Sequence, residues 1–542
     1  MSIPSGRPAM MGTRGMVASA HPLATMAGLR VLMDGGNAFD AAVATAACIG
    51  VVEPFMSGVG GIGVALAHVA REGRTRALDF SGRAPRAAEP DRFTDESKEL
   101  GALAALVPGN VAGWLALHEA HGTLPLERLF APAIEYAEGG FPLMAFGARM
   151  FAENGTRLSR FPESLSLLYP AGRPPRAGER FRNPGLAGSL RRIVRGGREA
   201  FYGGELAEVI VAEGRRRGAL FAAEDLAGYE ARWEEPVSIR YRGYEIFTAP
   251  PNSSGFQILH TLKLMEGFRP DELAFGDAET LHLLMEAVKL CVTDRIRFAG
   301  DPDHVRAPLK GLLSDAYAER QRRRIDRKTA AVVRGEHYAL RVPEGALAAG
   351  SPEEFDGGMT THFIAADREG NVVSITQTLG GFFGGGVVLG ETGIFLNNMC
   401  KWFDLEEGSP NRIGPGRRVD FVCSPTHTLR DGRFVLSLGT PGSWGILQTT
   451  PQMLLNVLDF GLDVQQAIEA PRFRYYAGRS VEMEERFPAR VREALSAKGH
   501  EIKVIEPWSI LVGGGHGIRV DAANGAFHGG ADPRRDGYAM GW

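Results

Sequence analysis

Cysteine is scarce in this sequence of 542 residues, which contains four, at positions 48, 291, 400 and 423. They lie far apart and include no C-x-x-C pair, which excludes a disulfide scaffold and a thiolate zinc site. We therefore expect four reduced cysteines in the core.

Long apolar runs are also missing. The longest, from Ala41 to Val52, is well short of the roughly 20 residues that a membrane helix needs. The first residues lack the apolar run of a secretory signal. The sequence therefore predicts a cytoplasmic protein without a membrane partner.

Net positive charge is absent, because 61 basic and 64 acidic residues give a formal charge of −3. This excludes the positive field expected of a nucleic-acid-binding protein. The one basic run, Arg320 to Lys328, has no interleaved aromatic residues, which favours a solvated helix end. We expect a small-molecule partner and no nucleic acid.

Glycine, in contrast, is abundant, at 70 residues, nearly twice the usual share of about 7%. One run, Gly58 to Gly63, reads G-x-G-x-x-G, which binds dinucleotides when it joins a strand to a helix. Here the VALAHVA that follows alternates like a strand. His118 to His121 reads H-E-x-H, one residue short of the zinc motif H-E-x-x-H. We expect no metal and no cofactor.

Helical periodicity dominates up to about residue 310, for example from Ala278 to Phe298. Residues 329–358 are rich in glycine, proline and acidic residues, which predicts a flexible tether. A β-hairpin is predicted next, around the loop Arg368 to Gly370. If Asp367 opposes Asn371, then Thr360 lies directly opposite Thr378.

Thr360 stands at the start of this hairpin and could be a nucleophile. A threonine hydroxyl needs an adjacent base, and a free α-amine on the same residue, with a pKa of about 7.7–8.0, supplies one. Cleavage of the chain after Met359 would create that amine. The alternative is an ordinary edge strand that begins with threonines.

Several further segments match a known family in order and spacing. They are HPLATMAGLRVLMDGGNAFDAAVA, VVEPFMSGVGGIG, VPGNVAGWLALHEAHGTLPLERLFAPAIEYAEGGFP, YRGYEIFTAPPNSSG, GMTTHF, GETGIFLNN, LGTPGS and GGADPRRDGYAMGW. Together they resemble the gamma-glutamyltranspeptidase family of N-terminal nucleophile hydrolases over nearly the whole chain. The resemblance implies an α+β fold, a four-layer αββα sandwich made as one precursor.

The resemblance also implies how this precursor works. Cleavage between Met359 and Thr360 would give a large subunit, 1–359, and a small subunit, 360–542, which stay associated in one αββα core and could form a dimer of heterodimers. Thr360 would be both the processing and the catalytic nucleophile, hydrogen-bonded by Thr378. The family's oxyanion loop corresponds to Pro441-Gly442-Ser443, so the N–H groups of Gly442 and Ser443 would face the oxyanion.

The sequence departs from the family where a glutamyl head group would bind. Ser81 replaces the arginine that clasps the α-carboxylate, with Arg83 two residues away as a possible substitute. Apolar or small residues replace most other polar contacts, and burying an unpaired charged head group there would be costly. The predicted substrate-binding residues are Ser81, Arg83, Gly380, Met399, Trp402, Phe421, Val422 and Trp444.

The segment Asn411 to Arg418 resembles the P-N-R-x-x-P-G-[KR]-R stretch of the family's acylase and amidohydrolase branches. It offers Arg412, Arg417 and Arg418 as candidate anchors for a carboxylate. The leading hypothesis is a self-processing hydrolase or acylase that opens an amide or related acyl bond through a Thr360 ester, on a substrate other than glutathione. Two alternatives stay open: a true gamma-glutamyltransferase or glutathione hydrolase, and an uncut, non-catalytic homologue that acts as a binding or accessory protein.

Overall fold

The computed structural model of the chain describes residues 6–334, 337–339 and 359–542. Most of the predicted tether, from residue 340 to 358, lies outside the described residues. None of the helices within these ranges combines the length and the apolar composition that crossing a bilayer requires.

The strands of the described chain are β1 Met10–Gly12, β2 Gly15–Ser19, β3 Ile62–Val69, β4 Arg74–Phe80, β5 Phe141–Pro142, β6 Arg180–Phe181, β7 Arg232–Glu234, β8 Val237–Tyr241, β9 Tyr244–Thr248, β10 Val332–Arg334, β11 His337–Ala339, β12 Met359–Asp367, β13 Val372–Gly380, β14 Thr426–Arg430, β15 Arg433–Gly439, β16 Phe473–Tyr475, β17 Ser480–Glu484, β18 Glu501–Ile505, β19 His516–Val520, β20 Phe527–Ala531 and β21 Tyr538–Gly541. Two seven-stranded antiparallel sheets dominate. Their strand orders are β21-β2-β12-β13-β3-β4-β7 and β1-β20-β19-β15-β14-β9-β8.

The α-helices are α1 Pro22–Met33, α2 Ala38–Val52, α3 Asn110–His121, α4 Leu126–Gly139, α5 Ala145–Glu153, α6 Gly155–Leu158, α7 Pro162–Leu168, α8 Pro184–Tyr202, α9 Glu205–Arg216, α10 Ala223–Ala227, α11 Phe256–Glu266, α12 Ala278–Phe298, α13 Leu309–Leu312, α14 Asp315–Arg322, α15 Ile446–Leu458, α16 Val464–Glu469 and α17 Ala489–Ala497. Helices α1 to α4 and α8 share one apolar core with the first sheet. Helices α11, α12 and α15 share another apolar core with the second sheet.

Side-chain alternation along β12 separates two of these layers. Phe363 and Ala365 face the helices of the first sheet. Ile364 and Ala366 point the other way and pack with Ile518 of the second sheet. The two sheets therefore lie face to face with helices on both outer sides, which confirms the predicted four-layer αββα sandwich.

Several local predictions are confirmed. Helix α12 covers Ala278–Phe298 as its periodicity predicted. Helices α1 and α2 are separated at Gly35 and Gly36, and the Asn37 side chain caps α2 by accepting hydrogen bonds from two backbone N–H groups. The G-x-G-x-x-G run leads into strand β3 at Ile62, not into a helix. The dinucleotide motif therefore lacks the strand–helix context it needs.

Candidate active site

The predicted hairpin is present, and its register is confirmed along most of its length. Thr361 pairs with Gln377, and the same register continues to Ala366. Next to Thr360 the prediction is wrong, because Met359 pairs with Gly380 and the register shifts between Met359 and Thr361. This β-bulge displaces the first residues of β12 from the regular hydrogen-bond ladder.

Thr360 is buried in the continuous chain, with 3% of its surface exposed. Its carbonyl oxygen accepts a hydrogen bond from Arg535 Nη1 at 3.0 Å. Its side chain hydrogen-bonds the thiol of Cys423, whose pKa is raised by burial and partly lowered by that bond. The candidate nucleophile thus lies between the two sheets, in contact with residues that are distant in sequence.

Thr378 contacts the peptide group before Thr360. Its hydroxyl donates to the carbonyl oxygen of Met359 at 2.5 Å and accepts a hydrogen bond from the Gly380 N–H at 2.7 Å. The family resemblance implied a hydrogen bond from Thr378 to Thr360 itself. Because of the bulge, the hydroxyl instead reaches the carbonyl group at which cleavage is predicted.

The predicted oxyanion loop lies at the same end of the hairpin. Strand β15 of the second sheet crosses beneath the hairpin. At one end of β15, the Phe434 ring lies 5.6 Å from the His68 ring, measured between ring centroids. At the other end, a Cβ built on Gly439 would meet the His362 ring at 2.4 Å. Since His68 pairs with Val372 near the hairpin turn, β15 runs towards Thr360, and residues 440–443 follow at that end.

Gly442 and Ser443, the residues of the predicted oxyanion loop, both have a positive backbone φ angle. Their φ angles are 134° and 56°, and Ser443 begins a 3₁₀ turn that leads into α15. A positive φ at a serine is strained, and such strain clusters at functional sites. The Ser443 hydroxyl is buried without a hydrogen-bond partner among the described residues. The N–H groups here also lie at the positive end of a 13-residue helix.

The predicted head-group residues Ser81 and Arg83 are already engaged. The Ser81 hydroxyl accepts a hydrogen bond from Asn252 Nδ2 at 3.0 Å. Arg83 donates to the Gly416 carbonyl at 3.1 Å and lies 3.5 Å from Asp303. Ser81 is buried, whereas the Arg83 side chain keeps 25% of its surface exposed.

Arg418, a candidate carboxylate anchor, is buried among carboxylates. Its guanidinium lies 2.9 Å from Asp79, 3.1 Å from Asp301, 3.3 Å from Glu234 and 3.2 Å from Asp303. All its charge is balanced within the protein. We therefore do not expect Arg418 to bind a substrate carboxylate.

Three of the predicted pocket residues come together. A Cβ on Gly380 would lie 3.1 Å from Met399 Sδ and 2.4 Å from Asn398 Oδ1, so only glycine fits there. Met399 and Phe421 share one apolar cluster with Cys423, which contacts Thr360. Val422 packs in a different cluster, against the second helix layer, because adjacent side chains point to opposite sides of an extended segment.

The two predicted tryptophans form a pair. Their rings lie 4.9 Å apart at 70°, an edge-to-face contact. Arg295 stacks on Trp444 at 3.8 Å and lies 3.4 Å from Asp420. Trp402 Nε1 is buried without a partner among the described residues. The pair adjoins the predicted oxyanion loop, since Trp444 follows Ser443 directly.

Glu53 and Arg535 were not predicted from the sequence, although both lie in segments that match the family. Glu53 accepts a hydrogen bond from the Thr361 hydroxyl at 3.2 Å. Burial raises the pKa of Glu53 from 4.5 to about 7. Only the assembled fold brings these residues, separated by some hundreds of positions, to the start of β12.

One buried cluster of described residues has ligand types suited to a metal: His282, Glu286 and His500, with donor atoms within 4.8 Å of one another. His282 and His500 hydrogen-bond each other at 2.9 Å. The Lys289 ammonium lies 2.7 Å from the Glu286 carboxylate. A divalent cation beside a buried ammonium would be unfavourable, so the group is better described as a hydrogen-bond network.

The sequence profile described as gamma-glutamyltranspeptidase matches residues 24–542. The chain belongs to the gamma-glutamyltranspeptidase family. Acylase ACY 1 proenzyme of Pseudomonas sp. (strain SE83) is 36% identical over 541 residues, covering 97% of this chain and 93% of that protein. Glutathione hydrolase proenzyme of Escherichia coli (strain K12) is 34% identical over 545 residues, covering 96% and 90%.

The structural comparison agrees with this family. The crystal structure of cephalosporin acylase from Bacillus halodurans superposes with a TM-score of 0.90 and 34% sequence identity, covering 100% of this chain and 98% of that one. This member of the gamma-glutamyltranspeptidase family is thus an enzyme of the N-terminal nucleophile type, a hydrolase or acyltransferase. Its relatives include proteins named as acylases and as glutathione hydrolases.

Proposed function

We propose that this enzyme cleaves its own chain before Thr360 and then opens an amide or related acyl bond through a Thr360 ester. The observation that carries the proposal is the hydrogen bond from the Thr378 hydroxyl to the Met359 carbonyl oxygen, at 2.5 Å. A donor at this oxygen polarises the carbonyl group and stabilises the negative charge that develops on attack.

Processing is a transfer of the Met359 acyl group followed by hydrolysis. The Thr360 hydroxyl oxygen attacks the Met359 carbonyl carbon, the C–N bond breaks, and the nitrogen takes up a proton as the new α-amine. Water then hydrolyses the resulting ester, releasing the Met359 carboxylate and restoring the Thr360 hydroxyl. The fold would continue to hold the new chain ends on both sides of the cut, so we expect 1–359 and 360–542 to stay associated.

In turnover, the Thr360 amine would accept the hydroxyl proton and return it to the leaving group. The N–H groups of Gly442 and Ser443 would stabilise the oxyanion. A water molecule then hydrolyses the Thr360 ester of the acyl-enzyme. The activity should rise with pH as the amine loses its proton, and a profile that is flat from about pH 6 to 9 would count against this role.

The acyl group is proposed to lack the glutamyl head group. Met399 and Phe421 are apolar and buried next to Cys423, and Arg418 is saturated by protein carboxylates. A zwitterionic head group would find few partners there. Arg83, which is partly exposed, supports the second candidate, a gamma-glutamyl hydrolase or transferase with rebuilt contacts.

Intact mass under denaturing conditions tests the processing step. The wild type should give two fragments, one ending at Met359 and one beginning at Thr360. Thr360→Ala should give one uncut chain, whereas the matched control Thr360→Ser keeps a hydroxyl and should still be cut. One intact chain in all three would favour the third candidate, a non-catalytic binding or accessory protein.

Substrate class is tested with p-nitroanilides of the gamma-glutamyl group and of neutral acyl groups. We expect faster release from a neutral acyl anilide. Preferred cleavage of the gamma-glutamyl anilide would favour the second candidate.

The cytoplasmic location and the dimer of heterodimers remain predictions from the sequence. The mass of the native assembly in solution tests the predicted dimer of heterodimers.

A further inference from the structure

Arg535 touches both residues that flank the proposed cleavage site. Its Nη1 donates to the Thr360 carbonyl oxygen at 3.0 Å. Its Nη2 lies 3.8 Å from Met359 Sδ, and Nη1 lies 3.7 Å from Met56 Sδ. The residue belongs to the turn between β20 and β21 and has 3% of its surface exposed.

The charge of Arg535 has no direct counterion within the described ranges of the chain. No described carboxylate lies within ion-pair distance of it, and its Nε has no hydrogen-bond partner there. Burial lowers the pKa of Arg535 to about 10, so the guanidinium remains charged near neutral pH. A buried cation therefore lies beside Thr360, balanced only by groups at longer range.

Two acidic groups act on Arg535 from a distance. Asp532 is paired with Arg472 and Arg534, so its charge is already balanced. Burial raises the pKa of Glu53, at the end of α2, to about 7. Glu53 is thus largely uncharged below neutral pH and gains its charge above it.

The other titratable groups near this point do not supply a counterion. His362 and His516 lie in the facing strands, and burial lowers the pKa of both, which keeps them neutral. The Cys423 thiol stays protonated, since burial raises its pKa. Asp536 acts on Glu53, and burial raises its pKa to about 6. Arg149 adds a further positive contribution.

We propose that Arg535 is a positioning residue that keeps the α-amine released at Thr360 in its neutral, proton-accepting form. The inference rests on the proposed function, because the amine exists only after cleavage. The amine nitrogen and the carbonyl oxygen that Arg535 binds belong to the same residue, so cation and amine lie within the range of about 4–6 Å over which charges shift a pKa. A neighbouring cation disfavours the ammonium form and thereby activates an amine at lower pH.

Carbamylation of the Thr360 amine by cyanate measures this effect without a substrate. Only the neutral amine reacts, and it reacts with isocyanic acid. Mass spectrometry of the N-terminal peptide of the 360–542 fragment gives the rate at each pH, which is divided by the isocyanic acid concentration at that pH. In the wild type we expect a midpoint about one pH unit below the ordinary value of about 7.7–8.0. Arg535→Gln should raise the midpoint by about one unit, whereas Arg535→Lys, which retains the charge, should keep it within about 0.3 units.

Arg149→Gln is the matched control, because this arginine is 44% exposed and does not contact Thr360 or Met359. Arg149 acts on Arg535 only from a distance, so the midpoint of this variant should stay within about 0.3 units of the wild type. Equal midpoints in the wild type and in Arg535→Gln would overturn the inference, and so would equal shifts in the lysine and glutamine variants, which would indicate a structural effect.

If Arg535→Gln remains uncut, it has no Thr360 amine to measure. Glu53→Gln then provides the second measurement. It removes the carboxylate that opposes Arg535 above neutral pH, so the midpoint should fall by about half a unit. An unchanged midpoint in Glu53→Gln would overturn the inference in that case. An uncut wild type is a different result, visible in its mass alone, and would refute the proposed function itself.

Discussion

Two buried arginines in this enzyme have opposite surroundings. Arg418 has 2% of its surface exposed and lies within 3.3 Å of Asp79, Asp301, Asp303 and Glu234. Arg535 has 3% exposed and contacts a carbonyl oxygen and two methionine sulfur atoms. The first lies at the predicted head-group end of the site, and the second lies at Thr360, the proposed nucleophile.

The difference shows how one side chain can serve stability or chemistry. A guanidinium surrounded by carboxylates satisfies them and is itself satisfied, so little of its field reaches a substrate. A guanidinium without a direct counterion projects its charge onto whatever titrates beside it. Arg418 therefore joins elements of the fold, whereas Arg535 is placed to act on Thr360.

The largest expected effect comes from removing the saturated arginine. Arg418→Met leaves Asp79 and Asp301 buried without their partner, which should cost about 3–5 kcal/mol of unfolding free energy. Arg535→Met leaves no described carboxylate without an ion-pair partner and should cost about 1.5–3 kcal/mol, the scale of one lost hydrogen bond to a charged group. The midpoints of urea unfolding of both variants measure the difference. Equal losses would contradict the comparison.

A second effect concerns pH. Burial raises the pKa of Glu53 from 4.5 to about 7, so the folded protein holds this proton more tightly than the unfolded chain does. Its contribution to stability is present below about pH 4.5 and is lost as the pH rises through about 7, by an amount on the order of 3 kcal/mol.

Glu53→Gln removes that dependence. The stability of the variant relative to the wild type should therefore increase from pH 5 to pH 8, as measured by unfolding at each pH. Glu469→Gln is the control, since no contact links this carboxylate to Arg535. A constant difference between Glu53→Gln and the wild type would show that Glu53 is charged throughout, and Arg535 would then have a counterion.

The smallest expected effect is at Arg83. Its 3.5 Å pair with Asp303 is partly exposed, so Arg83→Ala should change stability by less than about 1 kcal/mol. If Arg83 does not bind substrate, kcat/KM for the preferred acyl anilide should change less than about threefold. A selective loss of gamma-glutamyl anilide cleavage would instead assign Arg83 to the head group.

Local patterns in the sequence predicted much of the fold. Helix α12 follows its hydrophobic periodicity from Ala278 to Phe298, and the hairpin follows its turn at Gly370. These elements could be predicted because their signals are short-range: the spacing of apolar residues, a cap or a turn residue. The bulge beside Thr360 has no such signal, since it arises where β12 meets its neighbours.

The candidate site could be predicted only in part. The segments predicted to supply the nucleophile and the oxyanion N–H groups carry recognisable motifs, and the structure places them at one end of the two sheets. Val422 could not be separated from Phe421, because the backbone direction decides which core each side chain enters. Nothing in the sequence indicates that Glu53 and Arg535 lie close to Thr360 in the folded protein.

The sequence by itself determined the family, the helices and hairpin, and the threonine at which cleavage is proposed, because each depends on neighbouring residues or on motif order. Only the tertiary structure decided that Thr378 reaches the Met359 carbonyl, that Arg418 is neutralised and that Arg535 is not. Electrostatic balance depends on distances between atoms from remote segments, and those distances exist only once the layers have packed.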